Sequence, residues 1–229
     1  MKHYARFIKG AAGPQTIVIG ASAHTINTNA GAKVVAITGK AGSNLVAVCV
    51  STATLSQPPT DDKGGSWIQA VNTASSAAPA RYLRIFVRQS GGLADASTVT
   101  VTETPTSGDT GGGMAVFRLD NADETAPGYA YLDNNGLVSD GATGVPYLAF
   151  SAGACLATNC QIGAVISTNT SPAAPTGWTL YASGSYATPT LFWAIYYRTS
   201  GETGTTISCG AASATGWCSS CVEFKPLGV

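Results

Sequence analysis

The chain predicts an all-β protein: two tandem antiparallel β-sandwiches, jelly-roll or immunoglobulin-like, behind an extended N-terminal arm. Three observations lead there. Short apolar or alternating runs recur at regular spacing between Gly/Pro turns. No stretch carries the apolar periodicity of an amphipathic helix. And one pattern occurs twice. Trp67, then Pro79, eight residues, Arg88 and Ser90-Gly91 are matched by Trp178, then Pro189, eight residues, Arg198 and Ser200-Gly201. Each Trp follows a proline-bearing stretch, and each Arg ends a hydrophobic run rich in aromatics.

The elements follow in order. Residues 1–14 read as an arm ending at Gly13-Pro14. Strands are expected at Thr16–Ile19, Ala32–Ile37 and Asn44–Val50, the last two joined by a turn at Gly39-Lys40-Ala41-Gly42. Leu45–Val50 is almost wholly apolar, so both of its faces should be covered. Asp61-Asp62, in a Pro/Gly loop, reads as a solvated turn. Trp67–Val71, Tyr82–Arg88 and the alternating Thr98–Thr104 complete a first domain over residues 15–104. Residues 105–113, rich in Gly, Thr and Ser, read as a linker. The second domain, 114–229, opens with a strand at Met114–Leu119 and an extra hairpin turning at Asp133-Asn134-Asn135-Gly136, since Asn-Gly favours tight turns. Strands then follow at Tyr147–Phe150, Ile162–Ser167, Trp178–Ala182, Leu191–Arg198, Thr205–Cys209 and Cys221–Lys225.

Charged residues make up 10% of the chain, against an average of about 25%, and Thr, Ser, Ala and Gly take their place. Such a surface suits either an exported-type β protein or one largely covered by partners in an assembly. Twelve basic residues balance twelve acidic ones, which argues against a nucleic-acid partner. The one basic cluster, Lys2, His3, Arg6 and Lys9, lies in the arm. Residues 1–20 lack the apolar core of a secretory signal, and no apolar run approaches membrane-spanning length.

Six cysteines pull toward an oxidising destination: Cys49, Cys155, Cys160, Cys209, Cys218 and Cys221. Cys49, inside an apolar strand, reads as a buried free thiol. For Cys155, Cys160, Cys209, Cys218 and Cys221 disulfides or an interchain link are expected. A four-thiolate zinc site from Cys155, Cys160, Cys218 and Cys221 is the alternative. No other cofactor or metal is expected, because Asp133–Gly136 lacks the acidic residue that completes a calcium loop. Catalysis has little to draw on, with two histidines, His3 in the arm and His24 in a polar loop, and no nucleophile elbow or phosphate loop. Trp67, Trp178, Arg88 and Arg198 read as anchors that plug and close the ends of the sandwiches.

Two segments carry a resemblance. Pro175-Thr176-Gly177-Trp178-Thr179-Leu180 with Ala194-Ile195-Tyr196-Tyr197-Arg198, and more loosely Gly65-Ser66-Trp67 with Ile85-Phe86-Val87-Arg88, resemble β-sandwich modules of tailed-bacteriophage virion structural proteins. The resemblance implies a virion component made in the host cytoplasm and exposed on the particle, closest to a capsid decoration (cement) protein. Its partners would be the major capsid protein and symmetry mates on the lattice. The arm residues Lys2, Tyr4, Arg6, Phe7 and Lys9 would anchor it. The competing expectation is a receptor- or glycan-binding module of a tail fibre or adhesin, with Tyr181, Tyr186 and Trp217 stacking on sugars.

Overall fold

The computed structural model describes residues 15–27, 31–53, 57–75, 81–88, 93–106, 109–122, 132–151, 153–168, 171–187, 190–210 and 214–227. The strands are β1 (Val18–Asn27), β2 (Lys33–Thr38), β3 (Asn44–Ser51), β4 (Thr60–Asp61), β5 (Trp67–Ser75), β6 (Arg81–Arg88), β7 (Thr98–Glu103), β8 (Gly112–Asp120), β9 (Leu132–Gly144), β10 (Tyr147–Ala149), β11 (Cys160–Ser167), β12 (Thr179–Ala187), β13 (Thr190–Arg198), β14 (Thr206–Ser208) and β15 (Ala214–Phe224). Among the described residues there is no helix. The fold is all-β, with antiparallel pairing throughout.

Two five-stranded sheets form the centre, ordered β1-β8-β3-β6-β5 and β9-β15-β11-β13-β12. A three-stranded sheet, β2-β7-β4, covers the outer face of the first, and the pair β10-β14 covers the outer face of the second. The strand orders correspond one to one, β1 with β9, β8 with β15, β3 with β11, β6 with β13 and β5 with β12. A β-bulge falls at the corresponding place in both sheets. Ala70 bulges from β5 three residues after Trp67, and Tyr181 bulges from β12 three residues after Trp178.

Side chains alternate between the faces of a strand, so each central strand feeds two cores. In β3, Val46, Val48 and Val50 point to one core, and Leu45, Ala47 and Cys49 to another. In β11, Ile162, Ala164 and Ile166 share the first core with β3, while Val165 points outward beneath β10 and β14. Every residue of both strands is buried. The largest core is therefore the one between the two five-stranded sheets, drawn from both halves of the chain.

Trp193 of β13 is the knob of that core and is fully buried. A Cβ at Gly113 of β8 or Gly184 of β12 would lie 2.6 Å from its indole, so these two glycines make the slot it fills. Across this interface β5 meets β9 and β15, and β12 meets β8. At the other margin, His24 of β1 and Phe117 of β8 pack on Tyr181 of β12. The two sheet orders thus run in opposite directions across the interface, as a local two-fold axis requires.

Three expectations change. Met114–Leu119, expected to open the second half, lies in β8, which pairs with β1 and β3 of the first sheet. Phe117 and Leu119 point into the shared core and Met114 and Val116 into the outer one, so this strand is needed to complete the sheet. The hairpin turn at Asp133–Gly136 is absent. These residues lie inside β9 and pair with β15, Asn134 opposite Glu223 and Gly136 opposite Cys221. The long ladder outweighs the local preference of Asn-Gly for a turn. His24, expected in a loop, is in β1.

Because Trp193 fills a slot shared by both halves, Trp193→Ala should cost about 3–5 kcal/mol. Denaturant unfolding followed by circular dichroism and by fluorescence of the remaining tryptophans should show one coincident transition at a lower midpoint. Two separated transitions would mean that the halves unfold independently.

Candidate functional site

Each repeated Trp/Arg pair is completed by a carboxylate. In the first pair, Asp61 Oδ2 accepts hydrogen bonds from Trp67 Nε1 (2.9 Å) and Arg88 Nε (2.8 Å). Its Oδ1 accepts the backbone N–H of Lys63 (2.9 Å) and Gly65 (3.1 Å). In the second, Glu202 Oε2 accepts from Trp178 Nε1 (2.8 Å) and Arg198 Nη1 (3.1 Å), while Oε1 accepts the N–H of Thr203 and Gly204. The division of labour between the two oxygens is the same. The chain positions differ: Asp61 precedes its Trp, whereas Glu202 follows its Arg.

The glycines beside the tryptophans now have a reason. A Cβ at Gly65 would lie 2.1 Å from Arg88 Nε, and one at Gly177 would lie 2.9 Å from Arg198 Nη1. Gly177 also has φ +80°, a left-handed conformation natural to glycine. Asp61, expected in a solvated turn, has a fully buried side chain. Burial pushes its carboxyl up, but the Arg88 hydrogen bond and the N–H of Gly65 outweigh that and hold it below its usual range. Glu202 is likewise lowered: burial opposes, and the bond from the Trp178 indole and the N–H groups of Gly204 and Thr203 prevail. Trp67, Trp178 and Arg88 are buried; Arg198 is partly exposed and also donates to the carbonyls of Ser200 and Gly201. These clasps fasten the loops at the ends of the strands.

Cys49 is the buried free thiol expected, but the disulfides expected among Cys155, Cys160, Cys209, Cys218 and Cys221 are not formed. All six are free and buried. Cys218 and Cys221 stand three apart on β15, and odd spacing in a strand sends two side chains to opposite faces. Cys218 enters the shared core and Cys221 the outer core beneath β10 and β14. Cys160 and Cys155 are divided in the same way. The sheet thus separates both pairs that were candidates for bridges or zinc, and no group of three or more His, Cys, Asp or Glu among the described residues is placed to hold a metal. Burial pushes the Cys155, Cys160 and Cys209 thiols up to about 12, leaving them protonated and unreactive.

A third polar cluster had no signal in the sequence reading. Lys33 at the start of β2, Glu103 at the end of β7 and Asp109 just before β8 meet in the first half. Lys33 Nζ lies 2.9 Å from Glu103 Oε2 and 3.1 Å from Asp109 Oδ2, with the three side chains almost wholly shielded from solvent. Asp109 Oδ1 accepts from Ser51 Oγ (2.9 Å), Thr52 Oγ1 (3.0 Å), Thr52 N (3.3 Å) and Gly111 N (3.3 Å). A composition count sees only three scattered charges; pairing of β2 with β7, Lys33 opposite Glu103, brings them together.

Of the residues expected to bind sugars, Trp217 is buried edge-to-face against Tyr147 at 4.8 Å, which removes it from any stacking surface. Tyr181 is half-buried against Phe117 and His24, and the Tyr186 side chain lies outside the described residues. The arm residues Lys2, Tyr4, Arg6, Phe7 and Lys9 also lie outside them. A cleft of about 230 Å³ is lined, among the described residues, by Gln15, Thr16, Ala157, Thr158, Ser200 and Pro226, none of them titratable.

Among the described residues, β1 and β12 form one flank of the stack. β1 ends the first five-stranded sheet and β12 ends the second, and the His24–Tyr181 contact at 5.4 Å sets them on the same side. Neither strand contains Asp, Glu, Lys, Arg or Pro. Val18, Ile26 and Leu180 on them are nearly half exposed. Comparison with protein-family models, with curated proteins and with solved structures finds no match.

Two outcomes follow from these sites. The folded pKa values of Asp61 and Glu202 lie below their ordinary values of 3.8 and 4.5, so their stabilisation is full above those values and is lost as pH falls through the folded ones. Asp61→Asn with Glu202→Gln should therefore lower stability at neutral pH and flatten the decline on acidification in urea titrations. An unchanged acid limb would remove the clasps from that role. Second, a thiol reagent should label none of the six cysteines in the native protein and all of them after denaturation. Reduced and unreduced samples should migrate alike on denaturing gels.

Proposed function

We propose that this chain is a non-enzymatic structural protein of a virion, binding the outside of a tailed-phage head as a decoration protein. The observation that carries the reading is the uncharged flank formed by β1 and β12. Exposed strand edges template further pairing, and proteins that stay apart guard them with charge, proline or cover. An unguarded pair of edges on a chain with 10% charged residues suits a surface that is covered in the assembled particle. The repeated Trp/Arg motif and its resemblance to virion β-sandwich modules support the same reading. In this reading the major capsid protein is the partner, neighbouring copies meet along the flank, and the N-terminal arm reaches along the lattice.

The matching strand orders, the matching bulges and the paired clasps support an origin by internal duplication of one β-sandwich. Duplication followed by face-to-face packing would convert two marginal modules into one rigid block. Rigidity of this kind serves a cement protein, which must resist expansion of the shell.

A glycan-binding reading keeps one observation in its favour. His24 is exposed and Tyr181 half-exposed on the same flank, an aromatic pair that a sugar face could stack on.

Cryo-EM of particles with copy-number determination tests the proposal. Many copies on the outer shell, lost or weakened when Val18→Lys and Ile26→Lys place charges at the exposed positions of β1, is the expected result. A few copies at the tail tip together with binding on a glycan array would replace it with the adhesin reading.

A further inference from the structure

We propose that Lys33 and Asp109 become joined by an intramolecular isopeptide bond, formed within the folded protein with Glu103 as the proton-transfer residue. The inference stands on geometry and is independent of the virion reading.

Three features set this cluster apart from an ordinary ion pair. First, the reacting groups are in contact and dry. Lys33 Nζ is 3.1 Å from Asp109 Oδ2, and neither side chain has any solvent exposure. An amine and a carboxyl held so have an effective concentration far above any in solution. The lysine stem is confined as well: a Cβ at Gly112 would lie 2.5 Å from its Cε and 2.1 Å from the Val50 carbonyl oxygen. Second, the two oxygens of Asp109 have different tasks. Oδ2 faces the amine, while Oδ1 sits in a cage of two hydroxyls and two backbone N–H groups. Such a cage is what a tetrahedral oxyanion on that atom requires. Third, Glu103 is poorly satisfied as an anion. Lys33 Nζ, at 2.9 Å, serves it, and among the described residues no other hydrogen-bond donor reaches its oxygens. Burial raises its pKa, against the pull of Lys33.

The step balances within the triad. With Glu103 protonated, transfer of one proton from the Lys33 ammonium to Asp109 Oδ2 leaves a neutral amine beside a neutral carboxylic acid. Burial favours such neutralisation over separated charge. Burial raises the Asp109 carboxyl, but Lys33 and the Ser51 and Thr52 hydroxyls lower it further, so the charged form is the resting one and reaction passes through the minor neutral form. The nitrogen lone pair attacks Asp109 Cγ, and negative charge moves onto Oδ1 in its cage. Glu103 takes a proton from the nitrogen on one oxygen and returns one to Oδ2 from the other. The Cγ–Oδ2 bond breaks and water leaves. One C–N bond forms, one C–O bond breaks, one water is released, and Glu103 ends protonated as it began. No oxidant or reductant takes part.

The link would tie the start of β2, in the outer sheet, to the segment entering β8, in the five-stranded sheet. It would clamp one layer to the next in a chain whose cysteines are all free. A cross-link of this span restricts the unfolded chain much as a disulfide does.

Intact mass spectrometry of the purified full chain, denatured before measurement, is the test. The expected mass is that of the sequence less one water, with a proteolytic fragment joining the peptides of Lys33 and Asp109. Lys33→Arg and Glu103→Gln should restore the full mass, and Asp109→Asn should lose ammonia in place of water. Folded wild-type protein at full sequence mass after prolonged incubation would overturn the proposal, and needs no variant that might fail to fold. Loss of water without a fragment linking residues 33 and 109 would overturn it too. A Glu103→Gln protein that still cross-links would overturn the role given to Glu103.

Discussion

The structure depends on burying both faces of two strands at once. β3 and β11 are buried at every position, and each can be so only if a sheet lies on either side. The two outer layers supply one side. The other side of each is supplied by the opposite half of the chain, through Val46, Val48 and Val50 against Ile162, Ala164 and Ile166. Apolar burial is the main favourable term in folding. Neither half alone could hide this face, so the halves are bound into one stack by the same residues that form their central strands. The glycines at 113 and 184, which admit Trp193, let the sheets approach closely enough for that core to close.

Around this core, polar side chains are used where strands end. Each clasp makes one carboxylate satisfy an indole N–H, a guanidinium and two backbone N–H groups, so buried donors are paired and a loop is fixed. Asp61 and Glu202 reach the same geometry from opposite sides of their Trp/Arg pairs, so the two clasps agree in the acceptor's position in space and not in its place in the chain. Among the described residues the Lys33 cluster has no counterpart of this kind in the second half, where β10 begins at Tyr147 and Ser219 Oγ donates to the Tyr147 carbonyl.

Much of this was legible in the sequence, for definable reasons. Strand positions followed from local alternation and from turn residues, which is why Thr98–Glu103 and Lys33–Thr38 fall close to where they were expected. The run Leu45–Val50 announced that both faces are covered, but a one-dimensional pattern cannot say by what. The shared core was therefore missed. Parity was available for one cysteine pair: Cys218 and Cys221 are three apart, and a strand sets such residues on opposite faces. The Asn-Gly turn failed because the β9 ladder overrides a local preference. Asp61 looked solvated because its loop is polar; the signal that could have found it was the glycine two residues before Trp67, a space kept for the Arg88 guanidinium. Glu202 and the Lys33 cluster gave no signal, since only strand pairing brings their partners into reach.

The shared core makes the two halves one cooperative unit, and native-state hydrogen exchange on the amides of β3 and β11 reads that cooperativity. The slowest amides of both strands should exchange with the same free energy and the same denaturant dependence, equal to global unfolding. A lower free energy or shallower slope for either strand would show that one half opens while the other stays folded, and would contradict it.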